Sequence, residues 1–217
     1  MNSSSDVSKD VEDRQWFIVR RWQAYAGELR ALVIRAVSVV VLYGFHLASH
    51  FGESPEVRET FAEMHRRLTI ISVLMLVVSL LTLLLILKRV LPGWLAFLTT
   101  AVDLLAVTAV IASTGGPMRS ALLGGFFLVV AMAGLRFDLR LVWFATLGSM
   151  AGFMAAVGMQ DPSWFDADHV VPVIYQQGVL VCLAATGLVI GQMVRLSRPL
   201  AEEFHARVER AEAKETT

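Results

Sequence analysis

Long apolar runs separated by brief polar breaks fill the chain from about residue 31 onward. Six of them reach bilayer length: residues 31–51, 68–87, 94–114, 120–137, 139–159 and 170–194. A hydrocarbon core about 30 Å thick takes roughly 20 helical residues at about 1.5 Å each. Periodicity does not separate strand from helix in a uniformly apolar run, but length does, and the alternating ten-residue segments of a membrane barrel are missing. The pattern therefore predicts an all-α fold, a polytopic bundle of six transmembrane helices over residues 31–194.

The breaks are short. They cover residues 52–67, 88–93 and 115–119, a tight turn around Asp138, and residues 160–169. None has room for a folded domain, so binding chemistry is expected within the bundle or at its ends. No internal repeat is visible, which weakens a transporter built from inverted halves.

Outside the bundle, residues 1–12 read as a disordered terminus, polar and without apolar periodicity. Residues 13–30 place Trp16, Phe17, Trp22 and Tyr25 among arginines. That mixture suits an amphipathic helix in the membrane interface, with rings at headgroup depth and guanidiniums toward anionic lipid. Residues 195–217 form a second amphipathic helix, with Leu196, Leu200, Phe204, Val208 and Ala211 on one stripe and Pro199 expected to kink its first turn.

Composition supports the membrane reading. Of 217 residues, 56% are apolar and 18% charged, with a mean hydropathy of +0.61. The net charge is zero, which removes any bulk electrostatic case for nucleic acid. The single cysteine, Cys182, excludes an internal disulfide. No early apolar segment with a cleavage site marks a removable signal peptide.

Placement of the charges is more informative than their sum. Five Lys or Arg residues precede the first span, two lie in each of the second and fourth connections, and five follow the last span. The opposite connections hold only Arg58, Arg66, Arg67 and Arg119. Basic residues stay on the cytoplasmic side, so both termini are expected there.

Few residues carry chemistry. Asp103 sits near the middle of the third span, where an ionised carboxylate is costly and is a functional candidate by default. It should be paired or protonated, with Arg35 as one conceivable partner and Thr99, Thr100 and Thr108 as alternative hydrogen-bond sources. Thr114, Gly115, Gly116 and Pro117, followed by Arg119, form a turn able to leave backbone N–H groups open to a carbonyl or an anionic headgroup. Gln176 and Gln177 open the outer half of the sixth span as secondary ligand candidates. His46 and His50 share one helix face, and with His65 and His169 they are the candidates for a metal or haem, although the ligand set is incomplete. Gly148 with Gly152, and Gly187 with Gly191, are close-approach pairs that join helices within or between chains. No kinase, cyclase or nucleotide-binding motif is present, so no catalytic activity is expected.

Several of these features together resemble the six-helix membrane input domains of bacterial sensor histidine kinases and related signalling proteins. They are the arginine-flanked start of the first span (Arg30 to Arg35), Asp103, the Thr114-Gly-Gly-Pro117 turn followed by Ser120, and the stretch 134–148 (GLRFDLRLVWFATLG). The resemblance covers roughly residues 20–200. It implies a multi-pass protein of the bacterial cytoplasmic membrane, surrounded by lipid and dimeric, that passes a lipophilic-ligand or redox signal to a cytoplasmic partner. In redox-responsive members the Gly-Gly loop is implicated in quinone sensing. There the glycines precede Asn-Pro-Phe, whereas here Pro117-Met-Arg-Ser-Ala follows. The kinase half is absent from the sequence. Two other readings stand beside this one: a quinone- or haem-associated electron-transfer subunit using the outer histidines, and a small transporter using Asp103.

Overall fold

The computed structural model describes residues 3–52, 54–118, 120–160 and 171–215, with side chains between residues 25 and 197. Seven α-helices are present among them: α1 (Ser3–Gly52), α2 (Pro55–Thr60), α3 (Ala62–Leu87), α4 (Leu95–Ser113), α5 (Gly124–Gly134), α6 (Leu139–Gln160) and α7 (Val173–Glu215). Five contain stretches long and apolar enough to cross a membrane: Tyr25–Gly52, Ala62–Leu87, Leu95–Ser113, Leu139–Gln160 and Val173–Ser197. Their outward faces carry Val33, Val37, Phe45, Leu80, Leu105, Leu147, Ile174 and Val181, all exposed. Apolar surface on that scale does not persist in water, and the chain is a multi-pass helical membrane protein.

The fourth expected span falls short. Residues 120–137 yield a single 3-10 turn, Ala121–Leu123, and then the 11-residue α5, which at about 1.5 Å per residue reaches only about 16 Å. The local chemistry explains the late start. Ser120 caps the turn by accepting from Leu122 N at 3.3 Å, and Gly124 and Gly125 are poor helix formers. At the other end Phe137 takes a left-handed conformation, φ 54°, which ends α5 in a corner before Asp138 Oδ1 caps α6 by accepting from Arg140 N at 2.9 Å.

At the N-terminal side α1 begins at Ser3 and runs without a break through residues 13–30 into the first span. Likewise α7 continues through Pro199 without a break.

The chain divides into two compact units: Met1–Ala106 with Leu135–Phe137, and Val107–Gly134 with Asp138–Thr217. In the first, α1 packs along α3, whose buried stripe is Leu68, Met75, Ser79, Thr82 and Ile86. These recur at three-, four- and seven-residue intervals, the signature of one helix face. In the second unit α5, α6 and α7 pack on one another around Phe126, Phe153, Val130 and Leu183, each fully buried. One glycine of each pair serves this packing inside the chain: a Cβ at Gly187 would overlap Thr146, and one at Gly152 would crowd Phe126.

Candidate functional site

Among the described residues, the buried charged groups of the first unit form two neighbouring ion pairs. On α1, Glu28, Ala31, Leu32 and Arg35 are all buried, at the i, i+3, i+4, i+7 positions of one face. On α4, Thr99, Thr100 and Asp103 are buried likewise. Arg35 and Asp103 meet as a two-pronged ion pair: Nε donates to Oδ1 at 2.6 Å and Nη2 to Oδ2 at 2.7 Å. With exposures of 2% and 4%, the two charges are screened by each other and not by solvent. The planar guanidinium fork matches a carboxylate edge, which is the geometry that makes such a pair strong. Arg35 Nη1 is buried and has no hydrogen-bond partner among the described residues.

A second pair lies about two helical turns away along α1. Arg136, in the corner between α5 and α6, donates from Nη2 to Glu28 Oε2 at 3.0 Å and to Thr99 Oγ1 at 2.9 Å. Its Nη1 reaches Thr100 Oγ1 at 2.7 Å and the Ala96 carbonyl at 3.3 Å. Nε stands 3.0 Å from Glu28 Oε1 without hydrogen-bond alignment. Burial pulls the Arg136 guanidinium below its ordinary value, and the Glu28 carboxylate opposes that pull. The corner reaches α1 because Gly27 lets it in: a Cβ there would stand 3.1 Å from the Arg136 Cα and the Leu135 carbonyl oxygen. The left-handed Phe137 supplies the turn that aims Arg136 back toward α4.

Asp103 is thus held by Arg35, and Thr99 and Thr100 receive Arg136, not Asp103. The sequence reading counted Arg136 only among the basic residues that set topology and gave Glu28 no role, so the pair was missed. The available signal was the position of Glu28 on the same helix face as Arg35, seven residues earlier.

The Gly-Gly turn belongs to the second unit. Gly115 and Gly116 take φ of 88° and 84°, where only glycine is unstrained. Two of its backbone donors are engaged: Gly116 N bonds to Ile111 O at 2.9 Å and Ser120 N to Gly116 O at 3.0 Å. Thr114 Oγ1 donates to Ser120 Oγ at 3.0 Å, and Tyr175 donates to the Pro117 carbonyl at 3.2 Å. A Cβ at Gly116 would overlap the Gln160 amide. Gln176 is buried and donates to Val171 O at 2.9 Å, while Gln177 is exposed. The turn packs against Gln160 and Tyr175, and Arg119 lies outside the described residues.

Among the histidines, three come together at the α1–α3 end of the first unit. His46 Nε2 is 3.0 Å from His65 Nδ1, and the His50 ring stacks on His65 with centroids 4.0 Å apart at 7°. That stack leaves no space for a macrocycle between the rings. No group of three or more ligating side chains among the described residues is arranged for a metal. His169 lies outside the described residues.

Comparison with known proteins gives no match: no family model, no curated protein and no solved structure is similar to the chain.

Proposed function

We propose that the chain is a non-enzymatic sensory or regulatory module of the bacterial cytoplasmic membrane, passing a change in helix packing to a cytoplasmic partner. The observation that carries this reading is the length of the terminal helices. α1 has 50 residues and α7 has 43, about 75 Å and 65 Å of rod, against the roughly 20 residues that a bilayer needs. Each continues unbroken from an apolar span into a polar terminal segment. A continuous helix carries a rotation or shift from the membrane into the cytoplasm without losing it in a hinge.

The buried pairs give α1 something to respond to, because its position is tied to Asp103 and Arg136 through charges that cannot slide gradually past one another. Lipophilic-ligand or redox input, dimerisation of two copies and the likeness to histidine-kinase input domains belong to this same proposal. The transporter alternative is less well supported, since the Asp103 carboxylate is already occupied at both oxygens by Arg35. Electron transfer through a haem held between outer histidines is disfavoured by the stacked rings.

Six crossings, with both ends cytoplasmic, fit the path of α5 better than five. The connecting segment leaves α4 at its C-terminal end, where Thr114 N bonds to Val110 O. By Arg136 it has returned to the first turns of α4, at Ala96, Thr99 and Thr100.

The test is spin labelling of the dimer in lipid nanodiscs. With Cys182→Ser as background, a label at Ser197→Cys should report an inter-subunit distance that shifts by several ångströms when Asp103→Asn breaks the buried pair. A tail distance indifferent to Asp103→Asn in folded protein, or a bound haem revealed by a Soret band, would overturn the reading.

A further inference from the structure

We infer that α7 carries an outward seam through which two copies of the chain pair in parallel, running from the membrane span into the polar tail. The inference rests on the dimer included in the reading above and names the face that makes it.

One face of the α7 span is spent on packing within the chain. Val179, Leu183 and Val194 are buried there, and Gly187 and Gly191 stand against Thr146 and Leu139. On the opposite face lie Gly178, Cys182, Ala185, Val189, Gln192 and Leu196, every one of them exposed. Their steps of four, three, four, three and four have the spacing of a coiled-coil seam. The outer half of the line is small: a Cβ at Gly178 meets nothing within 4 Å, and Cys182 and Ala185 follow. Small residues in line let two membrane helices approach closely. Gln192 is a neutral amide in the same line, and it gains a hydrogen-bonding partner when its own copy stands opposite.

The continuation beyond the membrane decides between lipid and protein as the cover. α7 stays helical to Glu215, and the sequence prolongs the line. Leu196 is both the last member of the exposed seam and the first of the stripe Leu196, Leu200, Phe204, Val208 and Ala211. Steps of four and three average close to the roughly 3.6 residues per turn of a straight helix, so the line keeps to one face. Arg198, Glu202 and Glu203 place this stretch in water and not in hydrocarbon. An apolar line in water needs protein against it.

A second copy supplies that protein. All copies are inserted with the same orientation, so two of them offer the same line at the same depth, related by a two-fold axis along the membrane normal. The flanking charges suit this arrangement. Arg207 precedes Val208 and Glu212 follows Ala211, five residues apart and opposite in sign. In a parallel pair these are the positions that meet across the seam, and symmetry makes the pairing occur twice.

The experiment is disulfide scanning of the full chain in native membranes, oxidised with copper phenanthroline. The unaltered chain should give a covalent dimer through Cys182. In a Cys182→Ser background, Ala185→Cys, Val189→Cys and Leu196→Cys should each give the dimer. Gln177→Cys and Leu188→Cys, exposed but about a quarter turn away, should give little. Gly178→Leu enters open space within the chain, so helix content and unfolding should match the parent while the Cys182 crosslink is lost. Equal crosslinking at seam and flank, or dimers from the flank alone, would overturn the seam and leave the signalling reading standing. Seam crosslinks together with a Ser197→Cys label distance indifferent to Asp103→Asn would uphold the seam and sink the signalling reading. A chain that stays monomeric, with no crosslink at any position, would overturn both.

Discussion

An aspartate in mid-membrane is tolerable when something fixes its charge, and Arg35 does so through both carboxylate oxygens. Removing one member strands the other. Asp103→Ala should destabilise the folded state by roughly 3–5 kcal/mol, because an uncompensated buried guanidinium remains. Replacing both, as Arg35→Met with Asp103→Leu, should recover most of that loss, since apolar packing of similar volume often matches a buried pair. Unfolding curves in detergent, titrated with SDS, read both values; a single variant as stable as the parent would remove the pair from any structural role. At this scale the sequence was partly legible. A lone carboxylate in an apolar span stands out because it is expensive, and so Asp103 was singled out, with Arg35 as one of several partners the sequence left open. Glu28 and Arg136 were not, because a charge near a helix end has a cheap explanation in water and headgroups. Only the fold shows that Gly27 admits the corner and buries both.

Elements were legible where length alone decides them, and less so where local backbone chemistry intervenes. Five spans follow from their apolar length, whereas the stretch 120–137 looked equally apolar and gave an 11-residue helix. The difference lies in a serine cap, two glycines and a left-handed phenylalanine, none of which changes hydropathy. The Gly-Gly turn is a similar case. Its glycines suggested a cradle for a ligand; in the structure Gly116 N donates to Ile111 O, Gly116 O accepts from Ser120 N, and the turn packs against Gln160 and Tyr175. Gly116→Ala should therefore destabilise the second unit twice over, by about 1–2 kcal/mol for the left-handed backbone and further for overlap with the Gln160 amide. Adding Gln160→Ala should relieve the overlap and leave the backbone cost, so thermal unfolding of the double variant should fall between the parent and Gly116→Ala. A double variant no better than the single one would mean that Gln160 yields without cost.

For the whole molecule, whether the stretch 120–137 crosses the membrane decides on which side the long α7 tail emerges. In a Cys182→Ser background, Glu56→Cys should react with an impermeant maleimide in intact cells, and Val90→Cys only after permeabilisation. Ser197→Cys is the discriminating site: six crossings keep it protected until the membrane is opened, while five would expose it outside. The same membrane gives the buried network a property that its stability does not reveal. Two guanidiniums and two carboxylates cancel, so displacing Glu28, Arg35, Asp103 and Arg136 together moves no net charge through the electric field. A single charge crossing the full membrane would gain about 2.3 kcal/mol per 100 mV, but the four as a group gain nothing. The network is therefore blind to voltage while it moves as one body, and it acquires a gating charge only in a motion that parts Arg35 from Asp103 or Arg136 from Glu28.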